Sequence, residues 1–93
     1  MVDSKNYNVS YKNENIELTA IEFSLFNLLY LHPNRIYSRN QILDLVYQDY
    51  RDTSDRTVDS HIRNLRKKLK NLSLKDELIR SVYGAGYKFE PIL

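Results

Sequence analysis

The chain has 93 residues, room for one domain and one core but not for two. It contains no cysteine, which excludes disulfides and thiolate metal sites, and its 42% hydrophobic and 28% charged residues describe a globular chain rather than a disordered tail. The formal net charge of +2 is small but unevenly placed: residues 1–46 hold four Lys/Arg against five Asp/Glu (net −1), and residues 47–93 hold ten against seven (net +3).

In chain order, Met1 to Leu18 reads as short strands. Tyr7, Val9 and Tyr11 alternate with polar residues, and Ile16 and Leu18 do so after the turn-like Lys12-Asn13-Glu14-Asn15. Thr19 and Glu22 make a capping box of the Thr-x-x-Glu type, which satisfies two free N–H groups where a helix starts. That helix, about Ala20 to Leu31, is apolar nearly all round and is expected to be the buried central one. Pro33 blocks its continuation and Asn34 tolerates a left-handed turn. Ser38 and Gln41 repeat the capping box before a second helix through about Val46, with Ile42, Leu43, Leu45 and Val46 as its apolar residues. The polar stretch Gln48 to Asp55 has one tyrosine, Tyr50, and no period, so it reads as a loop.

A third helix follows, with Ser54 or Asp55 as its cap. Val58, Ile62, Leu65 and Leu69 recur at four, three and four residues, which at about 100° per residue keeps them in one narrow arc facing the core. The opposite arc holds Arg56, Ser60, Arg63, Asn64 and Lys67, with Arg66 and Lys70 at its flank. Between Asp55 and Lys70 there are six basic and two acidic residues, a net of +4. Arg can grip guanine bidentately, Asn can grip adenine, and Lys can neutralise a phosphate, so this face suits a major groove. A plain solvated helix face would carry similar residues. After Leu74, Leu78 to Tyr83 and Tyr87 to Phe89 read as two strands around Gly84-Ala85-Gly86, a hairpin with a glycine turn.

Other residues support quieter roles. His32 closes the first helix and His61 flanks the core stripe of the third; neither has a metal-ligand spacing or a nucleophile partner. Glu22 serves its capping box or pairs with a basic residue of the third helix, and Asp59 is placed to orient neighbouring Arg side chains. The eight tyrosines are scattered, which argues against a base-stacking platform, and Tyr30 and Tyr37 read as packing residues. Gly84 and Gly86 have no helix after them and so do not form a phosphate cradle. No apolar run approaches the ~18 residues of a membrane span, and no signal-peptide layout opens the chain; a cytoplasmic location, without cofactor or metal, is expected.

Four segments, in order, cover nearly all of the chain: Leu18-Thr19-Ala20-Ile21-Glu22-Phe23, Ser38-Arg39-Asn40-Gln41-Ile42-Leu43, Arg56 through Leu69, and Ile79 through Phe89. On these the chain resembles the C-terminal effector domain of the OmpR/PhoB family of bacterial response regulators. The resemblance implies an α+β fold, a winged helix-turn-helix with an N-terminal antiparallel sheet, three helices and a C-terminal β-hairpin wing. It implies a third helix in the major groove of double-stranded DNA and a wing on the backbone or minor groove. The expected DNA-contacting set is Arg56, Thr57, Ser60, Arg63, Asn64, Arg66 and Lys67 on the helix, with Ser81, Tyr83 and Tyr87 on the hairpin. Arg63 and Asn64 are expected at base edges, Lys67 and Tyr87 on phosphate. It also implies a monomer that pairs on tandem direct repeats, and an RNA polymerase contact through the loop 47–55, which is longer than the three or four residues of a simple turn.

This sequence departs from the family in three ways. It carries no receiver domain, and so reads as an effector domain beginning inside its first strand, with Met1 to Asp3 as the remainder. Tyr83 stands where many relatives have Arg; it can reach a phosphate or pack on sugar but is no charged minor-groove probe. Asn64 replaces an Arg of some relatives and Ser60 is variable among them, so a relative's operator does not transfer. A winged helix used as a protein-contact scaffold leaves the basic face without a use, and an enzyme lacks any pocket loop, triad order or metal cluster.

Overall fold

The computed structural model describes residues 2–3, 5–11, 13–47, 55–72 and 78–90. Along them run β1 (Val2–Asp3), β2 (Asn8–Tyr11), β3 (Glu14–Glu17), α1 (Ala20–Tyr30), α2 (Arg39–Val46), α3 (Asp55–Leu69), β4 (Ile79–Val82) and β5 (Gly86–Phe89). This is the expected α+β winged-helix arrangement. Residues 48–54, including the alternative cap Ser54 and most of the loop assigned to polymerase contact, lie outside the described residues.

The N-terminal sheet is antiparallel in the order β1-β2-β3, with Val9 opposite Ile16 and Tyr11 opposite Glu14. The reversal is therefore tighter than the four-residue turn expected, and Asn15 already pairs with Ser10. Asn13 makes this possible by taking φ +67°, a left-handed conformation that a short amide side chain tolerates. Tyr7 is not in a strand. The Asp3 carboxylate accepts from the Lys5 N–H (3.0 Å) and from Asn6 Nδ2 (2.9 Å), turning the chain early, and Tyr7 takes φ +53° with its ring 5.5 Å from that of Phe23.

Helix α1 starts as its capping box dictates. The Glu22 N–H donates to Thr19 Oγ1 (3.2 Å), and the Thr19 N–H donates to Glu22 Oε1 (3.0 Å). Phe23, Leu25, Phe26 and Leu29 are buried, and the Phe26 ring meets Tyr30 and, edge-on, Phe89 of β5. The helix stops one residue short of expectation: Leu31 is the cap, exposed, and Asn34 at φ +66° turns the chain so that its N–H reaches the Phe89 carbonyl at 2.8 Å. In α2 the Ser38/Gln41 box forms as read and Ile42 is buried, but Leu45 faces outward. Asp55 is the first residue of α3, so the cap position precedes the described helix. Val58, Ile62, Leu65 and Leu69 are all buried, where α3 packs on α1 and α2.

Glu22 takes both of the roles open to it. Besides capping α1 it accepts a hydrogen bond from the Lys68 ammonium of α3, a salt bridge with the carboxylate buried. Burial opposes its ionisation, but the Lys68 ammonium and the Thr19 N–H outweigh burial and hold the carboxyl below its ordinary 4.5. A depressed folded-state pKa means the unfolded chain takes up the proton first. The pair's contribution is then complete at neutral pH and is lost as pH falls from about 4.5 through the folded value. Glu22→Gln keeps the capping oxygen and removes the charge. Urea midpoints at neutral pH and near pH 3 should show wild type losing more stability on acidification than this variant; equal losses would remove Glu22 from the acid response.

The hairpin pairs Ile79 with Phe89 and Val82 with Gly86. Its turn is Tyr83-Gly84-Ala85, one residue earlier than expected, with Gly84 at φ +75° and the Ala85 N–H donating to the Val82 carbonyl at 2.9 Å. Gly86 belongs to β5. Tyr37 lies alongside it as a one-residue third strand, exchanging backbone hydrogen bonds of 2.8 and 2.9 Å with Tyr87.

Candidate nucleic-acid interface

The outward face of α3 carries Arg56, Ser60, Arg63, Asn64 and Lys67, all exposed, with Lys70 exposed just beyond the helix end and Thr57 half-buried at the face's edge. Fifteen helical residues span about 22 Å, so the row is long enough to cross a groove. Among the described residues none of Arg56, Arg63, Lys67 and Lys70 has an acidic partner within salt-bridge distance. Four cations without acidic partners among the described residues, interleaved with a hydroxyl and a carboxamide, make a surface for a polyanion bearing hydrogen-bonding edges.

One flank of this face is tied to its neighbours. Asp59 Oδ1 accepts from Arg39 Nε of α2 (3.0 Å) and from the Tyr87 hydroxyl of β5. Burial first, and then Asp59, push the Tyr87 phenol upward, so it stays a donor. Arg66 donates through Nε and Nη2 to the Ile79 carbonyl (3.1 and 2.9 Å) and through Nη2 to Ser81 Oγ (2.8 Å), with its guanidinium 5.7 Å from the Tyr87 ring centre. These bonds join α3 to α2, β4 and β5 and set the angle between helix and hairpin.

On the other flank the buried Tyr47, at the end of α2, stacks on His61 of α3 and shares a hydrogen bond with its Nδ1. Burial pushes the Tyr47 phenol up to about 12, so it stays protonated beside the imidazole. His61 thus joins two helices, the structural one of the two roles, structural or phosphate-contacting, that its place beside the core stripe left open.

The ten residues expected from sequence divide accordingly. Arg56, Ser60, Arg63, Asn64 and Lys67 share one open face, and Thr57 borders it. Ser81 is exposed beside Arg66, and Tyr83 is fully exposed at the hairpin tip. Arg66 and Tyr87 differ in kind: Arg66 gives Nε and Nη2 to β4, and Tyr87 is 8% exposed with its hydroxyl given to Asp59. Both tie the hairpin to α3, Tyr87 from a buried position and Arg66 from a half-buried one. Sequence reading missed Arg39. A cation at the positive end of a helix is unfavourably placed without an anion nearby, and that was the available signal. Between the start of α2 and the hairpin lies an open cleft of about 530 Å³, bordered by Arg39, Asn40, Ser81 and Tyr83. Among the described residues no three His, Asp or Glu side chains gather as a metal site, and no helix is long and apolar enough to cross a membrane.

The sequence profile of the family described as "Transcriptional regulatory protein, C terminal" matches residues 13–89. The chain belongs to that family. It is similar to the transcriptional regulatory protein BaeR of Escherichia coli O6:H1, 42% identical over 90 residues that make up 97% of this chain and 38% of BaeR. It thus spans well under half of that relative's length. Among solved structures it is similar to the DNA-binding domain of Bacillus subtilis CssR (33% identity, TM-score 0.79, covering 96% of this chain and 97% of that one). It is also similar to the DNA-binding domain of the response regulator AdeR, solved in complex with an intercistronic region (26% identity, TM-score 0.84, covering 97% and 92%). The family is the one whose OmpR/PhoB-type motifs the sequence carries, and its fold is the one observed.

Proposed function

We propose that residues 1–93 form a single effector domain that binds double-stranded DNA sequence-specifically and regulates transcription as the output half of a two-component response regulator. The observation that carries this is the open face of α3: four cations without acidic partners among the described residues, with Ser60 and Asn64 between them, on a helix braced by the hairpin. The likeness to the AdeR DNA-binding domain, itself solved in complex with an intercistronic region, supports it. In this reading α3 lies in the major groove and the hairpin on the backbone or minor groove. Arg63 and Asn64 meet base edges; Arg56, Lys67 and Lys70 meet phosphates; Arg66 and Tyr87 keep helix and wing in register. The domain is monomeric alone, pairs on tandem direct repeats about one helical turn apart, and in the full-length cytoplasmic protein follows a receiver domain. It performs no catalysis, binds no cofactor, and touches RNA polymerase through the loop 47–55.

The test is competition binding of wild type, Arg63→Ala and Lys67→Ala on a duplex selected from a randomised pool and on a scrambled one. Three neutralised phosphates, at Arg56, Lys67 and Lys70, give a log–log salt slope near −3 for wild type. Arg63→Ala should cost about 1–3 kcal/mol on the selected duplex and much less on the scrambled one. Lys67→Ala should weaken both about equally and make the slope shallower by about one. Salt-independent binding, or equal losses on both duplexes for Arg63→Ala, would count against the assignment.

A further inference from the structure

The hairpin differs electrostatically from the helix it flanks. Its two cations, Arg80 and Lys88, sit opposite each other near its base and share one carboxylate: Glu90 Oε2 lies 2.7 Å from Arg80 Nε and 3.9 Å from Lys88 Nζ. Arg80 is three residues from Tyr83, roughly 10 Å along an extended strand, and Val82 to Gly86 carry no charge at all. Yet the tip presents the largest fully exposed apolar surface among the described residues, the Tyr83 ring. The strands beneath it are held against α3 by Arg66 on Ser81 and by Asp59 on Tyr87. Its turn is set by Gly84 at φ +75°, so the ring is displayed from a defined backbone. The cleft beside it continues to the head of α2, where Arg39 is tied to Asp59 of α3.

We propose that Tyr83 anchors the wing on duplex DNA by uncharged contact, its ring packing against deoxyribose at the edge of the minor groove. The proposal rests on the DNA-binding reading above and adds a division of labour: α3 carries the salt-dependent part of binding, and the wing tip carries a part that salt does not touch. An uncharged ring displaces no condensed counterion, whereas each phosphate-paired cation displaces about one. A tip without charge also has no special attraction to the enhanced negative potential of a narrow, A-tract minor groove.

The test is a salt titration of the 93-residue chain and three variants, Tyr83→Ala, Tyr83→Phe and Tyr83→Arg. The probe is a duplex selected by wild type from a pool randomised over about 20 base pairs, two helical turns. Thermal melts should be unchanged, because the ring touches nothing it could destabilise. Tyr83→Ala is expected to lose about tenfold in affinity at every salt concentration, giving a line parallel to wild type. Tyr83→Phe should stay within about twofold, since the ring is kept. Tyr83→Arg should steepen the slope by about one and acquire a preference for A-tract flanks. The proposal is overturned if Tyr83→Ala binds like wild type, if its line is shallower, or if Tyr83→Phe loses as much as Tyr83→Ala. Arg63→Ala in the same series separates the two readings. Loss there with none at Tyr83 overturns only the wing proposal, whereas a wild type that binds no duplex overturns both.

Discussion

Gly86→Ala is expected to destabilise the domain by about 3–5 kcal/mol, most of what a chain of this length has to lose. A Cβ on Gly86 would lie 2.0 Å from the Tyr37 carbonyl oxygen, 2.7 Å from its carbon and 2.8 Å from the Ser38 Cα. All three are backbone atoms, so no side chain can rotate away. The residue also sits at φ +140°, a conformation closed to L side chains at a cost of about 1–3 kcal/mol. Relief would require moving Tyr37 off the hairpin, which breaks the two backbone hydrogen bonds between Tyr37 and Tyr87, each worth about 1 kcal/mol net. Gly84→Ala is the matched control. Gly84 too has positive φ (+75°), but nothing lies within 4 Å of its added Cβ, so it should lose only about 1–2 kcal/mol. Urea unfolding of the two variants beside wild type decides the matter; equal losses would mean that the close approach of Tyr37 is not what requires glycine.

Leu65→Ala comes next, at about 2–5 kcal/mol. Leu65 is fully buried on the stripe where α3 meets α1 and α2, so removing three carbons leaves a cavity that three packed elements cannot close together. Helix propensity offers little compensation, since leucine ranks only just behind alanine. Lys67→Ala, two residues on and on the opposite face, should change stability by no more than about 0.5 kcal/mol while altering DNA binding. Stability and affinity should thus separate along one helix. A Leu65→Ala chain melting within about 1 kcal/mol of wild type would mean that the stripe is not the core contact it looks like.

Legibility in the sequence followed the range of the interaction. Both capping boxes formed as read because each closes within four residues, and the order of helices and hairpin followed from the same kind of local pattern. Boundaries slipped where a single residue adopted a left-handed backbone. Asn13 shortened the first hairpin turn, Tyr7 left its strand, and Gly84 moved the wing turn one residue earlier. Such conformations depend on what the flanking strands can pair with, and that is not a property of the turn alone. Leu45 and Leu31 were read as apolar helix positions but face outward: α1 and α3 pack on the side of α2 that buries Ile42, and Leu31 lies past the last turn of α1.

What the sequence determined by itself was the periodic part: which elements form, which face of each helix is apolar, and that the face opposite Val58, Ile62, Leu65 and Leu69 is basic. Periodicity is sufficient there because a helix converts spacing directly into direction. Only the tertiary structure decided which of the basic and aromatic residues remain available to a ligand. Arg66 and Arg63 are three apart on one helix and chemically identical, yet one is bound to Ile79 and Ser81 while the other is open to solvent. Tyr83 lies in the wing turn and Tyr87 just beyond it, yet Tyr87 is buried on Asp59 and Tyr83 fully exposed. Those differences come from where the hairpin docks, through the Tyr37 pairing and the close passage of Gly86, between residues far apart in the chain. A side chain's donors are spent on whatever neighbour the fold brings within about 3 Å, and no spacing along the sequence encodes that neighbour.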